Sequence, residues 1–345
     1  NWGTNAITID SNGLLFQGET DAFIVDYDTA GQAINLVYSG ATVGWTPASD
    51  IVSAFEPVQP ATQRAIFGYG MTGSILSLTN LVNSSGVVAD DVTGVGTARN
   101  RLAAANYGGD KAIFGYGNTG SDVSITNLVN NSGVVASDVS GVGTARLNLA
   151  AMSYGGDKAI FGYGGGYSSL TNLVNSSGVV AADVTGVGTA RSKLAGAGYG
   201  GDKGIFGYGE SGAYLSITNL VSNTGVVSSD VSGVGTARDA PAAASYGTDT
   251  AIFGYGGNSS SRQSVTNKVN NLGVVASDVS GVGTARDAPA AASYGGDKAI
   301  FGYGNTGSYT AVTNLVNSSG VVAADVTGVG TARHRLAAAG YSFSA

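Results

Sequence analysis

The chain has 345 residues and a formal net charge of −7, and its 16 basic residues are spread along it, which argues against phosphate-backbone binding as its main task. Charged residues make up only 11%, against about 25% in ordinary soluble chains, and 56 glycines favour turns and close-packed strands over helices. Zero cysteines exclude disulfides and thiolate metal sites, and no apolar run approaches the roughly 18 residues of a membrane-spanning helix.

Residues 1–46 come first. Alternation over 6–10, 23–26 and 33–38 predicts strands. So few residues make a poor independent core, yet they carry Trp2, Phe16, Phe23 and Trp45. A small β module that makes contacts between copies is therefore expected. The pattern at Asn1 is strand-like and no signal peptide is visible, so the chain is expected to be a segment of something longer. Pro47, Pro57 and Pro60 mark 47–63 as a linker.

From Arg64 onward the chain repeats itself six times. Phe-Gly-Tyr-Gly begins at Phe67, Phe114, Phe161, Phe206, Phe253 and Phe301, and Thr-Ala-Arg ends at Arg99, Arg146, Arg191, Arg238, Arg286 and Arg333. The period of 45 to 48 residues is that of β-propeller blades. Each Thr-Ala-Arg arginine precedes the next Phe-Gly-Tyr-Gly by 15 residues, and each Thr-Asn asparagine precedes its arginine by 19. Only the stretch between Phe-Gly-Tyr-Gly and Thr-Asn changes, from 11 to 14. All variation in length is confined to one loop.

The second repeat illustrates the four strands of a unit. Small apolar residues over 148–154 suit a crowded inner strand, 159–163 reads as a buried strand, 170–174 as a third, and 179–184 as an outer fourth. Glycine-rich 155–158 and polar 175–178 are the turns between them. The first repeat lacks an inner strand, while 335–341 is an inner strand with nothing after it. The expected fold is all-β: a six-bladed ring over 64–345 closed by the C-terminal strand, preceded by the small β module. An open array would leave unpaired sheet edges and lacks visible caps.

The order of elements resembles a kelch-type propeller: an arginine after the outer strand, a small apolar inner strand, Tyr-Gly-Gly-Asp-Lys, then Phe-Gly-Tyr-Gly where kelch repeats carry a glycine pair. The kelch tryptophan is missing, because Trp2 and Trp45 both lie outside the repeats. The wording of the repeats, Gly-Gly-Asp-Lys-Ala-Ile-Phe-Gly-Tyr-Gly, Thr-Asn-Leu-Val-Asn and Gly-Val-Gly-Thr-Ala-Arg, resembles structural proteins of marine tailed phages, tail fibres included. Ile7-Thr8-Ile9-Asp10, Leu36-Val37-Tyr38 and Gly44-Trp45 resemble a short β domain of phage fibre and virion proteins, often trimeric. The resemblance implies a virion protein on the particle surface, partnered by other virion proteins and by copies of itself in a homotrimer.

No enzyme motif is present, and no catalytic residue, cofactor or metal site is expected. His334 is the sole histidine, so a zinc or copper site would need carboxylates alone. It is read as an exposed residue. The Asp-Lys pairs and the Thr-Ala-Arg arginines recur in every repeat or nearly so, and fit turns and contacts between repeats. Two groups of positions differ between repeats instead. One is the loop after Phe-Gly-Tyr-Gly, carrying Asp122, Tyr167, Glu210, Tyr214, Arg262 and Tyr309. The other is the linker after Thr-Ala-Arg, carrying Arg101, Lys193, His334 and Arg335. Alternating strand direction opens both on one face, opposite the monotonous turns. These ten residues are the candidate ligand-binding set, for a host-surface glycan or protein, since Tyr and Arg are favoured interface anchors. No nucleic-acid partner and no membrane insertion are expected. The alternatives are a non-binding spacer, or a polysaccharide depolymerase built on two carboxylates among Asp122, Glu210, Asp239 and Asp287.

Overall fold

The computed structural model describes residues 7–9, 25–27, 36–41, 44–47 and 62–342. The chain divides into two compact units, Asn1–Gln59 and Pro60–Ala345. In the first, β1 (Ile7–Ile9) pairs antiparallel with β2 (Val25–Tyr27), and β3 (Leu36–Tyr38) with β4 (Trp45–Pro47). Tyr38 and Trp45 stand opposite each other with ring centroids 5.4 Å apart. Trp2, Phe16, Phe23, Pro57 and Pro60 lie outside the described residues.

The second unit contains no helix among the described residues; it consists of three-stranded antiparallel sheets, six in number. It opens with β5 (Arg64–Gly68) and β6 (Thr79–Val82). One sheet is β7 (Ala103–Tyr107), β8 (Lys111–Gly115) and β9 (Thr126–Val129), and the next is β10 (Ala150–Tyr154), β11 (Lys158–Gly164) and β12 (Ser168–Val174). Then come β13 (Ala195–Tyr199), β14 (Lys203–Gly207) and β15 (Thr218–Val221), followed by β16 (Ala242–Tyr246), β17 (Thr250–Gly254) and β18 (Thr266–Val269). The last consecutive sheet is β19 (Ala290–Tyr294), β20 (Lys298–Asn305) and β21 (Tyr309–Val316). The final strand, β22 (Ala337–Tyr341), pairs with β5 across the length of the unit, Ala337 opposite Gly68 and Tyr341 opposite Arg64. This is the pairing expected from a missing inner strand at one end and a surplus one at the other.

The inner strands β22, β7, β10, β13, β16 and β19 each lie beside the next, and β19 lies beside β22. Their alternate residues are alanine and glycine or small polar groups, which allows this close approach. Middle strands such as β8 are buried at nearly every position because a neighbouring sheet covers each face. Backbone bonds join the glycine turns in a closed cycle. Gly108, Gly155, Gly200 and Gly247 donate at 2.7 Å to the carbonyl oxygens of Asp157, Asp202, Asp249 and Asp297. Gly295 then donates to Gln63, and Ser342 to Asp110, which completes it.

The constant spacings follow from the junctions between sheets. Arg99, fully buried, donates from Nη2 to Asn127 Oδ1 at 2.6 Å and from Nε to the Tyr116 carbonyl at 2.9 Å, both in the next repeat. Its guanidinium also lies 4.3 Å from the Tyr69 ring centroid. Asp138 accepts from the Thr97 hydroxyl at 2.5 Å and from Asn127 at 2.9 Å. Against the cost of burial, these bonds hold its carboxyl below the usual range. The same set joins the last repeat to the first, through Arg333 with Tyr69 and Asn80, and Thr331 with Asp91. Residues tied across a junction cannot change their separation; the loop outside it can.

The Phe-Gly-Tyr-Gly motif packs the same junctions. A Cβ on Gly68 would stand 2.6 Å from Phe114 Cζ, so only glycine lets the neighbouring ring lie against the backbone. Tyr69 adopts φ 64° and stacks edge-on against Phe114 at 5.1 Å. That left-handed conformation is costly for a tyrosine, and it is held by a hydroxyl bond to the Val95 carbonyl at 3.1 Å.

One expectation needs correction. The outer fourth strand, 179–184 in the second repeat, is not continuous. It meets β12 only at two isolated bridges, Val174 with Val180 and Thr171 with Val184, whose registers differ by one residue. The extra residue is a bulge, and Asp183 just beyond it is drawn to Thr144 of the neighbouring repeat. Val179 is left 62% exposed. Together the described sheets make an all-β, propeller-like arrangement.

Candidate functional site

The two groups of variable residues meet. The first residue of each variable loop lies against the linker of the preceding repeat: Asn118 with Asn100, Glu210 with Ser192, Gly257 with Asp239, Asn305 with Asp287, and Met71 with His334. Gly165 is bonded to the Leu147 carbonyl at 2.7 Å in the remaining repeat. The monotonous turns gather separately, where Asn131 donates to Asp110 at 3.1 Å.

At the centre of the variable group, the second linker residue of every repeat takes a left-handed backbone: Arg101, Asn148, Lys193, Ala240, Ala288 and Arg335, with φ between 48° and 55°. The peptide N–H of each donates to the carbonyl of its counterpart in the preceding repeat. Arg101 bonds to Arg335, Asn148 to Arg101, Lys193 to Asn148 and Ala240 to Lys193, at 2.8 to 2.9 Å. Ala288 to Ala240 at 3.1 Å and Arg335 to Ala288 at 3.2 Å complete a second closed cycle. The six residues line a cavity of about 230 Å³. Its wall is one backbone conformation repeated; its side chains are of four kinds, arginine at 101 and 335, asparagine at 148, lysine at 193 and alanine at 240 and 288.

Charge is distributed unevenly around the opening. Lys193 Nζ lies 2.9 Å from both Glu210 Oε1 and Asp239 Oδ2. Burial alone would depress the ammonium, but its bonds to Asp239 and Glu210 hold it above the ordinary lysine range. Burial raises the Asp239 carboxyl, even with Lys193 opposing it. Arg262 Nε reaches Asp287 Oδ2 at 3.1 Å. On the other side, Arg101 and Arg335 make no ion pair among the described residues, and Arg335 Nη1 lies 3.8 Å from Met71 Sδ. His334 is only 6% exposed, which corrects the expectation of an exposed histidine. It is covered because Met71, distant in sequence, pairs with its backbone, and because the Tyr309 ring lies 4.8 Å away.

The remaining candidates stay on their own loops. Asp122 accepts from Asn118 at 2.8 Å and closes its own turn. Tyr167 and Tyr214 are exposed at their loop tips, as is Tyr309 at its outer edge. The carboxylates considered for hydrolysis do converge in one case, Glu210 and Asp239, but the Lys193 ammonium occupies the gap where a glycosidic oxygen or hydrolytic water would have to sit. With one ammonium between two carboxylates, the trio keeps a formal charge of −1. Among the described residues, no group of three or more His, Asp or Glu has the arrangement of a metal site.

Sequence reasoning did not find the cavity itself. The available signal was positional: six equivalent linkers whose last residue varies among arginine, asparagine, lysine and alanine. Comparison with protein-family models and with curated proteins finds no match.

Proposed function

We propose that the second unit is a closed six-bladed, kelch-like propeller serving as a non-catalytic recognition module on a virion fibre, with its variable face turned to a host-surface ligand such as a glycan. The observation that carries the recognition reading is the central cycle: one backbone conformation, six times over, presents four kinds of side chain (arginine, asparagine, lysine and alanine) around a cavity. Drift alone would not favour a cavity lip over the turns on the other face. Closure is supported by the β22–β5 pairing and by the two cycles of backbone bonds, each of which passes from the last repeat to the first. The virion setting rests on the resemblance of the repeats and of the N-terminal strands to phage fibre proteins.

The test replaces Tyr167, Tyr214 and Arg262 by alanine together and measures attachment to host cells. Attachment should fall tenfold or more with little change in stability, since two are exposed tyrosines and the third loses a partly exposed ion pair worth about 1 kcal/mol or less. Matched changes Ser132→Ala and Ser176→Ala in the opposite turns should leave attachment unchanged. Asn130 is a poor control, because its side chain accepts from the Ser132 and Val134 amides and holds its turn. Equal loss from both sets, or none from either, would favour the spacer.

A further inference from the structure

We propose that the part of the cavity lined by Arg101, His334 and Arg335 is a subsite for the acidic group, carboxylate or sulfate, of one sugar unit of the ligand. This rests on the recognition reading above and names the chemistry of that site.

Three buried side-chain polar atoms without a hydrogen-bond partner belong to residues lining this part of the cavity: Arg101 Nε and both ring nitrogens of His334. Buried polar atoms are nearly always paired, and a group of unpaired ones marks a place where something else bonds. His334 is only 6% exposed. The two guanidiniums face each other's charge with no carboxylate in ion-pair range among the described residues, Asp287 and Asp239 attracting Arg335 only from beyond that range, whereas Lys193 has two carboxylates and Arg262 has one. Burial, Arg335 and Arg101 keep His334 neutral at pH 7, so it adds one N–H donor without further positive charge.

Folding does not require these arginines. Ala240 and Ala288 occupy the same ring position with the same left-handed backbone and the same cyclic bond. By contrast, Arg333, two residues before Arg335, is fully buried and bonded across a junction. Arg101 and Arg335 are thus free to serve a ligand. Planar guanidiniums match the oxygens of a carboxylate or sulfate in bidentate fashion.

Two features point to a sugar rather than a polyanion. The opposite lip carries Asp239 and Asp287, which repel a dense run of phosphates but accept hydrogen bonds from hydroxyls. The chain's net charge of −7 works the same way. A cavity of about 230 Å³ is also below the range of roughly 300–1,000 Å³ typical of larger organic ligands. One acidic group among hydroxyls, on one ring, is the complement of this opening.

The experiment titrates the full chain with an oligogalacturonate, its methyl ester, a sulfated oligosaccharide and inorganic sulfate, by calorimetry. At least one acidic saccharide should bind, and which one does so identifies the acid. The double variant R101A/R335A should bind it at least tenfold more weakly with an unchanged melting temperature, and R101K/R335K should retain part of the affinity. Equal binding of the methyl ester, inorganic sulfate binding as tightly as the saccharide, no acidic saccharide bound, or no effect of R101A/R335A would each overturn the proposal. Host-cell attachment measured in parallel separates the two readings. If R101A/R335A attaches normally while the triple alanine variant of Tyr167, Tyr214 and Arg262 does not, the acidic subsite falls and the recognition face stands.

Discussion

His334 sits where two arginines and an aromatic ring enclose an imidazole, and its titration is the most accessible consequence of that enclosure. Burial first, then the charges of Arg335 and Arg101, push it down from 6.5 to about 4. In the unfolded chain the ring takes up its proton near pH 6.5; in the folded chain it does so only near pH 4. Between those values the unfolded state binds more protons, so stability falls as pH falls through that window. The loss is complete near pH 4 and amounts to about 3 kcal/mol at most. The junction aspartates act lower: their bonds to threonine and asparagine hold them below the usual range, so their contribution is present above pH ~4 and lost beneath it. His334→Asn places at this position the residue that Asn100 already provides in the equivalent linker. Urea unfolding at pH 7 and pH 4.5 should show a clear drop for the native chain and a flatter profile for H334N. Parallel profiles would remove His334 as the cause.

At the scale of strands, the closing pair is the element on which the rest depends. β22 supplies the inner strand beside β5, and the residues just before it supply Arg335 to the central cycle. Deleting residues 335–345 removes five paired residues and buried Leu336, Tyr341 and Ala339. It also exposes the edge of β5. The melting temperature should fall by many degrees, with a broadened transition; unchanged thermal unfolding would contradict the pairing. This element was legible in the sequence because the deficit at Arg64 and the surplus at Leu336 are visible as missing and extra text. Small apolar runs and glycine turns likewise revealed β10, β11 and β12 to within two residues at each end. The fourth strand was not legible. Its apolar run looks like any edge strand, and only the aspartate's attachment to a threonine of the neighbouring repeat, about 40 residues away, separates it from its sheet. Burial of His334 was hidden for the same reason, since Met71 reaches it from another repeat and Tyr309 from a loop 25 residues earlier. The two variable groups were recognisable by comparing repeats, but the convergence of the linker group on one cavity depends on a backbone conformation that Arg101 and Lys193 share with Ala240, and residue type does not announce it.

At the scale of the whole molecule, the question is which unit assembles. In Pro60–Ala345 each junction bonds its buried arginine to the asparagine of a neighbouring repeat of the same chain, the last with the first, so the proposed ring needs no second copy. Residues 1–46 are in a different position. The short pair β3–β4 leaves Val37 51% and Tyr38 44% exposed, and two strand pairs of three residues each bury little on their own. Following the resemblance to trimeric fibre modules, the full chain is expected to be a trimer held by this segment, and a chain beginning at Pro60 a monomer. Light scattering on both measures the masses directly. The competing surface is the outer rim of the sheets, where Val87, Val134, Val179, Val226, Val274 and Val321 are 57 to 64% exposed. A chain from Pro60 that remained trimeric would assign assembly to that valine rim. A chain from Pro60 that is monomeric, while the full chain is three times its expected mass, would place the contacts before residue 60.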